Sequence, residues 1–570
     1  MTSKALLHKF HPSLNLYRYS VKRTFGLTLL MTVFMLLICP GFIVTHINNR
    51  LSISETDVYN FDKTAPTLIL GVMVVTCAAS LIYLFINFSF LYSRSGSDFF
   101  HSLPLKRSGM LASRFLASIV PILLPLTLTY ASMCGILALD YVEGSISLIL
   151  TGFVYNILIL IMCAAFSLIF IVCAGSIFDL IISFVSFNVG VILLQIINSE
   201  LCRQYLWGYP NNAEFKLLML STPFVYAFEG FFDLFCGIGL FGESYPIFTA
   251  KLIIITLLSL AAAFLLYKRR KSEKSGVAYA YRFIYIVCAV IVGVIGAYIV
   301  GIIFSEGEFN FLFWIFAVVG ALLAAVTFGA INDRGFKTVK KSLIIGGGSA
   351  LCMAVTALTL WGGFFGYTTR IPSKEKIETA SVSVSNFSAE FTDPDLVMKL
   401  HNEIVAQFGD KNEYDYAYIS YKLKNGQTFE RDFYINYNDH MDTLLEIYRS
   451  KENINGIRKK FEKFTDNNLA ISVYTEDDTV EGLYLTAAEF SRLREAYFTD
   501  ISSATKDSIY GGQYMTCDIS GVDKNYDYVR ETLYIEKGFK NTIEVIDSLN
   551  LKDRAASEDG YADEYHGPID

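Results

Sequence analysis

The chain has 570 residues, 53% hydrophobic and 15% aromatic, with a mean hydropathy of +0.42 and a formal charge of −7. Apolar runs of about 20 residues, the length an α-helix needs to cross about 30 Å of hydrocarbon, recur over the first two thirds and exclude a wholly water-soluble globular protein. From about Arg370 the text turns charged and the runs stop, so the net charge averages two unlike parts; it says little about partners and asks for no nucleic acid.

The N-terminus carries about twenty polar and basic residues before any apolar run, unlike a cleaved signal peptide. Residues 1–23 are therefore expected as a cytoplasmic amphipathic lead-in, followed by an uncleaved anchor. Nine spans are predicted, at 24–46, 66–92, 112–138, 148–173, 180–199, 248–267, 283–304, 310–330 and 343–366. Lys and Arg collect in four places. These are the N-terminal segment (Lys4, Lys9, Arg18, Lys22, Arg23), the loop after span two (Arg94, Lys106, Arg107, Arg114), "YKRRKSEK" at 267–274, and Arg334, Lys337, Lys340 and Lys341. All four fall on one side if the spans alternate, and short cytoplasmic loops carry such an excess. The same alternation puts the C-terminal domain, 367–570, outside the cell.

Loop 200–247 is too apolar for a plain loop. "FKLLMLSTPFVYAFEGFFDLFCGIGLFG", broken by Pro223, Glu229 and Asp233, fits a re-entrant outer segment over about 215–241, because backbone at membrane depth must be satisfied internally or line a cavity. Gly293, Ala297 and Gly301, then Gly320 and Ala324, put small residues at four-residue spacing and predict close packing within an accessory bundle, 268–366.

In the soluble part, "TFERDFYINYNDHMDTLLEIY" at 428–448 and "DYVRETLYIEKGFKNTIEVID" at 527–547 share a strand, a polar turn and an amphipathic helix, each preceded by another strand and helix. A duplication of α+β units is expected, at about 376–450 and 470–549. Asn425-Gly426 marks a hairpin turn, and Thr392-Asp393 and Thr486 are expected helix caps.

Chemistry is signalled mostly by absence. There is no phosphate-loop motif, the seven histidines show no metal spacing beyond His8/His11, and the spans are nearly free of acids. No catalytic, cofactor-binding or metal-ligating set is expected in this chain. Seven cysteines lie in apolar runs, Cys517 stands alone, and Cys202 and Cys236 share a loop whose spacing alone cannot establish a disulfide. Neutral polarity is what the spans carry: Asn188, Gln195 and Ser199 share one face of span five, with Asn156 and Tyr155 in span four. Two readings stay open there, interhelical hydrogen bonds and the lining of a substrate path.

The segment "SRSGSDFFHSLPLKRSGM" at 93–110 falls in a predicted cytoplasmic loop. Residues 96–103 are expected as a short helix displaying Phe99 and Phe100, ended by Pro104, with Lys106-Arg107 at headgroup level. An aromatic pair exposed there either anchors an interfacial helix or is covered by a partner.

"DFFHSLPLKRSGMLASRFLA" after span two, six spans, "STPFVYAFEG" before span six and the basic lead-in together resemble the permease subunits of ABC transporters of the type 2 exporter class. The likeness is particularly to Gram-positive permeases encoded beside cell-envelope-stress and acetoin-utilisation ATPases, and it covers about residues 1–270. It implies a six-span permease core at 24–267 within the polytopic α-helical membrane protein of about nine transmembrane helices that hydropathy predicts; the three accessory spans and the appended domain depart from the family's minimal six-span pattern and look like a variant with an extracytoplasmic C-terminal domain. It further implies a non-enzymatic subunit of the bacterial cell membrane, a homo- or heterodimer with a second permease, and separate ABC ATPase subunits that hold the ATP and Mg. In that family the loop after span two contains the coupling helix, which here implicates Asp98, Phe99, Phe100, His101 and Ser102. Export or extraction of an amphipathic substrate, such as an antimicrobial peptide, a lipid-linked envelope intermediate or a drug, is the expected activity. The rival reading is a polytopic sensor or scaffold that binds an envelope ligand through its outer domain.

Overall fold

The structure is a computed structural model. It describes all residues except 1–12, 52–58, 140–141, 211–221, 237–244, 278, 385–386, 407–414, 465–468, 476–478, 507–512, 523–527 and 550–570. By their internal contacts the residues fall into two units, Met1–Glu200 with Glu214–Leu358, and Leu201–Ala213 with Thr359–Asp570.

The first unit is helical. Its helices are α1 (Leu14–Leu51), α2 (Ala65–Phe88), α3 (Arg94–Ser102), α4 (Arg107–Ile136), α5 (Ile146–Cys173), α6 (Ile177–Tyr205), α7 (Pro223–Phe231), α8 (Tyr245–Arg269), α9 (Arg282–Phe304), α10 (Phe311–Asn332) and α11 (Val339–Trp361). Among the described residues, nine of these are long and apolar enough to cross a membrane, all except α3 and α7. The chain is a multi-pass helical membrane protein by length and composition.

Local chemistry sets the boundaries. Ser145 caps α5 by accepting from the Leu148 amide, Asn310 caps α10 through the Phe313 amide, and α2 opens with a proline in its first turn, where the missing N–H costs nothing. The separate lead-in expected over 1–23 is not seen in its described part. From Leu14 the chain is already helical and continues unbroken through the first span, because "LNLYRYSVKRTF" offers no breaker.

The core of this unit is a cluster of side chains from α1, α2, α4, α5 and α8 that includes Met35, Ile43, Val72, Ile122 and Leu160. The accessory helices approach closely where small residues were expected, and also at a glycine outside that pattern. A Cβ on Gly296 would stand 2.2 Å from the Ala324 methyl, one on Gly320 2.4 Å from the Gly296 carbonyl oxygen, and one on Gly293 2.3 Å from Ser349 Oγ on α11. Glycine here gives backbone-to-backbone contact, which is the packing that stabilises helices in lipid.

The second unit holds two four-stranded antiparallel sheets. The first consists of β1 (Ile377–Val384), β2 (Phe387–Phe391), β3 (Asp415–Leu423) and β4 (Thr428–Ile435) in the order β2-β1-β3-β4. The second consists of β5 (Ala470–Thr475), β6 (Thr479–Tyr484), β7 (Gln513–Val522) and β8 (Tyr528–Glu536) in the order β6-β5-β7-β8. Helices follow at corresponding places: α12 (Asp395–Ala406) and α13 (Met441–Arg449) in the first half, α15 (Ala487–Ser503) and α16 (Lys540–Ser548) in the second, with α14 (Lys451–Phe461) between. Alternation along β1 and β3 turns Val382, Val384, Ala417 and Ile419 into a core with Leu400 and Ile404 of α12. Ile471, Ile519, Ile535 and Leu493 do the same in the second half. Gly426, at φ +80°, makes the turn between β3 and β4, and Thr486 with Glu489 forms a capping box on α15.

A chain segment remote in sequence packs against the first sheet. Trp207 meets the Phe433 ring edge-on at 5.7 Å, and the Asp432 amide donates to the Gly208 carbonyl at 3.4 Å. Gly208 has φ +76°, and a Cβ there would lie 2.5 Å from Phe433. Beside it the buried Arg431 guanidinium sits 3.7 Å from the Tyr367 ring and 4.2 Å from the Phe429 ring, and donates to the Tyr367 carbonyl at 2.7 Å.

Candidate functional site

The segment between the second and third spans folds as α3. Ser93, in extended conformation, accepts from the Gly96 amide and starts the helix. Leu103 returns to extended geometry at φ −65°, ψ 143°, as the residue before a proline must. The helix therefore runs over 94–102, two residues earlier at its start than the expected 96–103.

Its two aromatics take opposite roles. Phe99 is 61% exposed. Phe100 is half-buried, with its ring edge against Phe90 at 4.9 Å and against Phe99 at 5.2 Å. The expectation that both are displayed holds for Phe99 alone. Phe100 turns inward because a cation waits for it: the Arg114 guanidinium lies 4.2 Å from the Phe100 centroid and 4.1 Å from that of Phe90. Arg114 is buried and also donates to the Asn87 carbonyl at the end of α2. Asn87 Nδ2 in turn donates to Ser118 Oγ on α4 at 3.0 Å. The base of α3 is thus wired into both flanking spans.

The remaining α3 residues divide the same way. Asp98 and Ser102 are exposed, the Ser102 hydroxyl donating to the Phe99 carbonyl at 2.8 Å. His101 is half-buried, 3.2 Å from Ser97 Oγ through Nδ1 and 6.4 Å from the Tyr267 ring. Burial, and then the Arg107 and Arg270 guanidiniums, hold its imidazole below the ordinary range.

Arg270 is the residue that sequence reasoning missed. It stands in "YKRRKSEK", where its charge served only to orient the spans. In the fold it is 2% exposed and donates to the carbonyls of Val172 at 2.6 Å, Ala174 at 2.9 Å and Leu91 at 2.9 Å. Its own carbonyl accepts from Arg107 at 2.7 Å. With the Ile171 carbonyl, 3.4 Å from Arg270, and the Lys268 carbonyl, 3.2 Å from Arg107, six carbonyl groups at helix ends are satisfied by this one cation and its neighbour. The only hint in the sequence was an arginine directly after an apolar run, a position that ordinary flanking charges share.

The neutral polar residues of the spans do not come together as one lining. Asn156, buried on α5, donates to Tyr130 Oη at 2.6 Å and to the Ile69 carbonyl at 3.4 Å, and accepts from Thr76 Oγ1 at 3.3 Å. Its described partners lie on α2 and α4, so the interhelical hydrogen-bond reading fits it. Asn188 on α6 bonds back to the Phe184 carbonyl at 2.8 Å, and its buried Oδ1 has no partner among the described residues. Gln195 is buried and Ser199 half-buried on the same helix.

The expected outer segment is described in part. Pro223 opens α7 and Glu229 lies half-buried in it; Asp233 falls in a single turn of π-helix at Phe232–Cys236, while 215–221 and 237–241 lie outside the described residues. A Cβ on Gly230 would stand 2.0 Å from the Phe248 ring, which brings α7 hard against α8. Cys202 is a free, buried thiol. Among the described residues, no group of three or more His, Cys, Asp or Glu could hold a metal ion.

No protein-family model, no curated protein and no solved structure matches the chain.

Proposed function

We propose that this chain is the permease subunit of an ATP-driven ABC transporter of the type 2 exporter class, and that α3 is the knob on which a separate ATPase docks. One observation carries the reading: a nine-residue helix joining two spans exposes a single phenylalanine, Phe99, above a braced base of Phe100, Phe90 and Arg114. Covering the 61% of Phe99 still exposed is worth roughly 1–2 kcal/mol, which favours a partner with an apolar groove. The bracing makes α3 suited to transmit force. Arg114 leads to the α2 terminus, and Asn87 leads on to α4.

In this reading the basic helix ends face the cytosol, the membrane is the bacterial cell membrane, and the sheet-bearing domain is extracytoplasmic. The two sheets, with one strand order between them, arose by duplication. Two permeases, alike or sister chains, bind two ATPases that hold ATP and Mg, and the complex exports or extracts an amphipathic substrate.

The test is photocrosslinking in cells, with a photoreactive phenylalanine in place of Phe99 and, as control, at exposed Phe336. A crosslink from position 99 alone to a polypeptide with a phosphate-binding loop is expected. A crosslink only to lipid, or to a chain without nucleotide-binding motifs, overturns the assignment.

A further inference from the structure

The basic ends of the accessory spans enclose a cavity that the transport reading does not use. It measures about 360 Å3, within the usual range for ligand pockets of about 300–1,000 Å3. Arg282, the first residue of α9, and Lys341, in the first turn of α11, supply its cations; Asp333, just past α10, is its carboxylate. Asp333 already accepts from the Thr338 hydroxyl. Among the described residues neither Arg282 nor Lys341 forms an ion pair, and two cations against one carboxylate leave one net positive charge.

The floor is rigid. Tyr279 donates to Asn332 Oδ1 at 2.9 Å, and Tyr285 stacks on Phe328 at 5.8 Å. The mouth is apolar: Ile286 and Ile344, 48% and 75% exposed, stand on helices long and apolar enough to span the membrane. Polar cradle and greasy lip meet at the N-terminal ends of α9 and α11.

We propose that this cavity binds the phosphodiester headgroup of an anionic phospholipid, of which phosphatidylglycerol is the type, with Arg282 and Lys341 on the phosphate and an acyl chain along Ile286 and Ile344. A phosphodiester carries one negative charge and matches the net charge of the lining. Basic pockets between transmembrane helices take anionic headgroups for this reason. A free phosphate ion would use the same cations but leave the isoleucines idle. The inference needs only the membrane-spanning character of α9–α11, not the ATPase partner.

The experiment is native mass spectrometry of the full chain, delipidated and titrated with phosphatidylglycerol. Wild type should retain one phosphatidylglycerol at concentrations where phosphatidylcholine is lost. R282Q/K341Q should weaken that binding by roughly tenfold or more, and K341R should restore most of it in the R282-intact chain. Both cations are exposed and, among the described residues, form no ion pair, so the melting temperature should stay that of wild type. K337Q/K340Q, which removes two charges just before and at the start of α11 that do not line the cavity, should bind as wild type. Equal losses in the two double variants, equal retention of phosphatidylcholine, or displacement by millimolar inorganic phosphate would each overturn the lipid assignment.

Discussion

Phe99 and Phe100 are adjacent in sequence, yet the fold assigns them different work, and separating them is the sharpest check on the docking proposal. Truncating Phe100 removes a cation–π contact of about 0.5–2 kcal/mol and two edge contacts of about 0.5–1.5 kcal/mol each, together with about half of a phenylalanine's burial. These overlap, so a cost of about 2–3 kcal/mol is expected for Phe100→Ala. Phe99→Ala loses one edge contact and mostly exposed surface, below about 1 kcal/mol. Hydrogen exchange of the 95–103 amides reads this directly. Phe100→Ala should speed local opening by roughly 30- to 150-fold and Phe99→Ala by less than about fivefold. Copurification of an ATPase with the tagged chain should be lost in Phe99→Ala despite its intact helix. If Phe99→Ala keeps its partner, or opens the helix as much as Phe100→Ala does, the division of roles is refuted.

Removing Arg270 leaves helix-end carbonyls buried without a donor, and Arg270→Ala should destabilise the first unit by about 3 kcal/mol or more, read as a lowered melting temperature in detergent. Asn156→Leu strands the Tyr130 hydroxyl and should cost about 1–2 kcal/mol, read as a lowered melting temperature in detergent; a variant as stable as wild type would count against the interhelical hydrogen-bond role. His401 is buried against Tyr421, at 3.0 Å through Nδ1, and burial and then Arg431 push its pKa down to about 3. Above the unfolded value of about 6.5 its contribution is complete; it is lost as pH falls from there toward 3, by up to about 1.4 kcal/mol per unit, and exchange of β3 amides should show it in wild type but not in His401→Phe. Glu536 moves the other way: burial raises its carboxyl to about 7, so its penalty grows as pH rises from about 4.5 to 7, and Glu536→Gln should raise the melting temperature of the second half at pH 8.

Hydropathy made the spans legible, since nine apolar runs became nine helices with shifted ends. Their ends were less legible because polar residues such as Tyr17 and Lys22 continue α1 when nothing breaks it. The position of α3 followed from Ser93 and Pro104, which are local signals. The direction of Phe100 did not, because it depends on Arg114, a turn and more into the next helix. Asn156 was grouped with Asn188 by proximity of spans four and five in sequence, whereas its partners come from α2 and α4. Arg270 shows the same limit: a buried clamp and a flanking topology charge are spelled alike.

The Trp207–Phe433 contact joins residues 226 positions apart. At a synthesis rate of about 5–20 residues per second, the 207–209 segment waits roughly 10–45 s before the strand it serves has been made. The first sheet therefore gains this contact only after the spans between have been made, and a C-terminal fragment starting at Thr359 would fold its four strands without it.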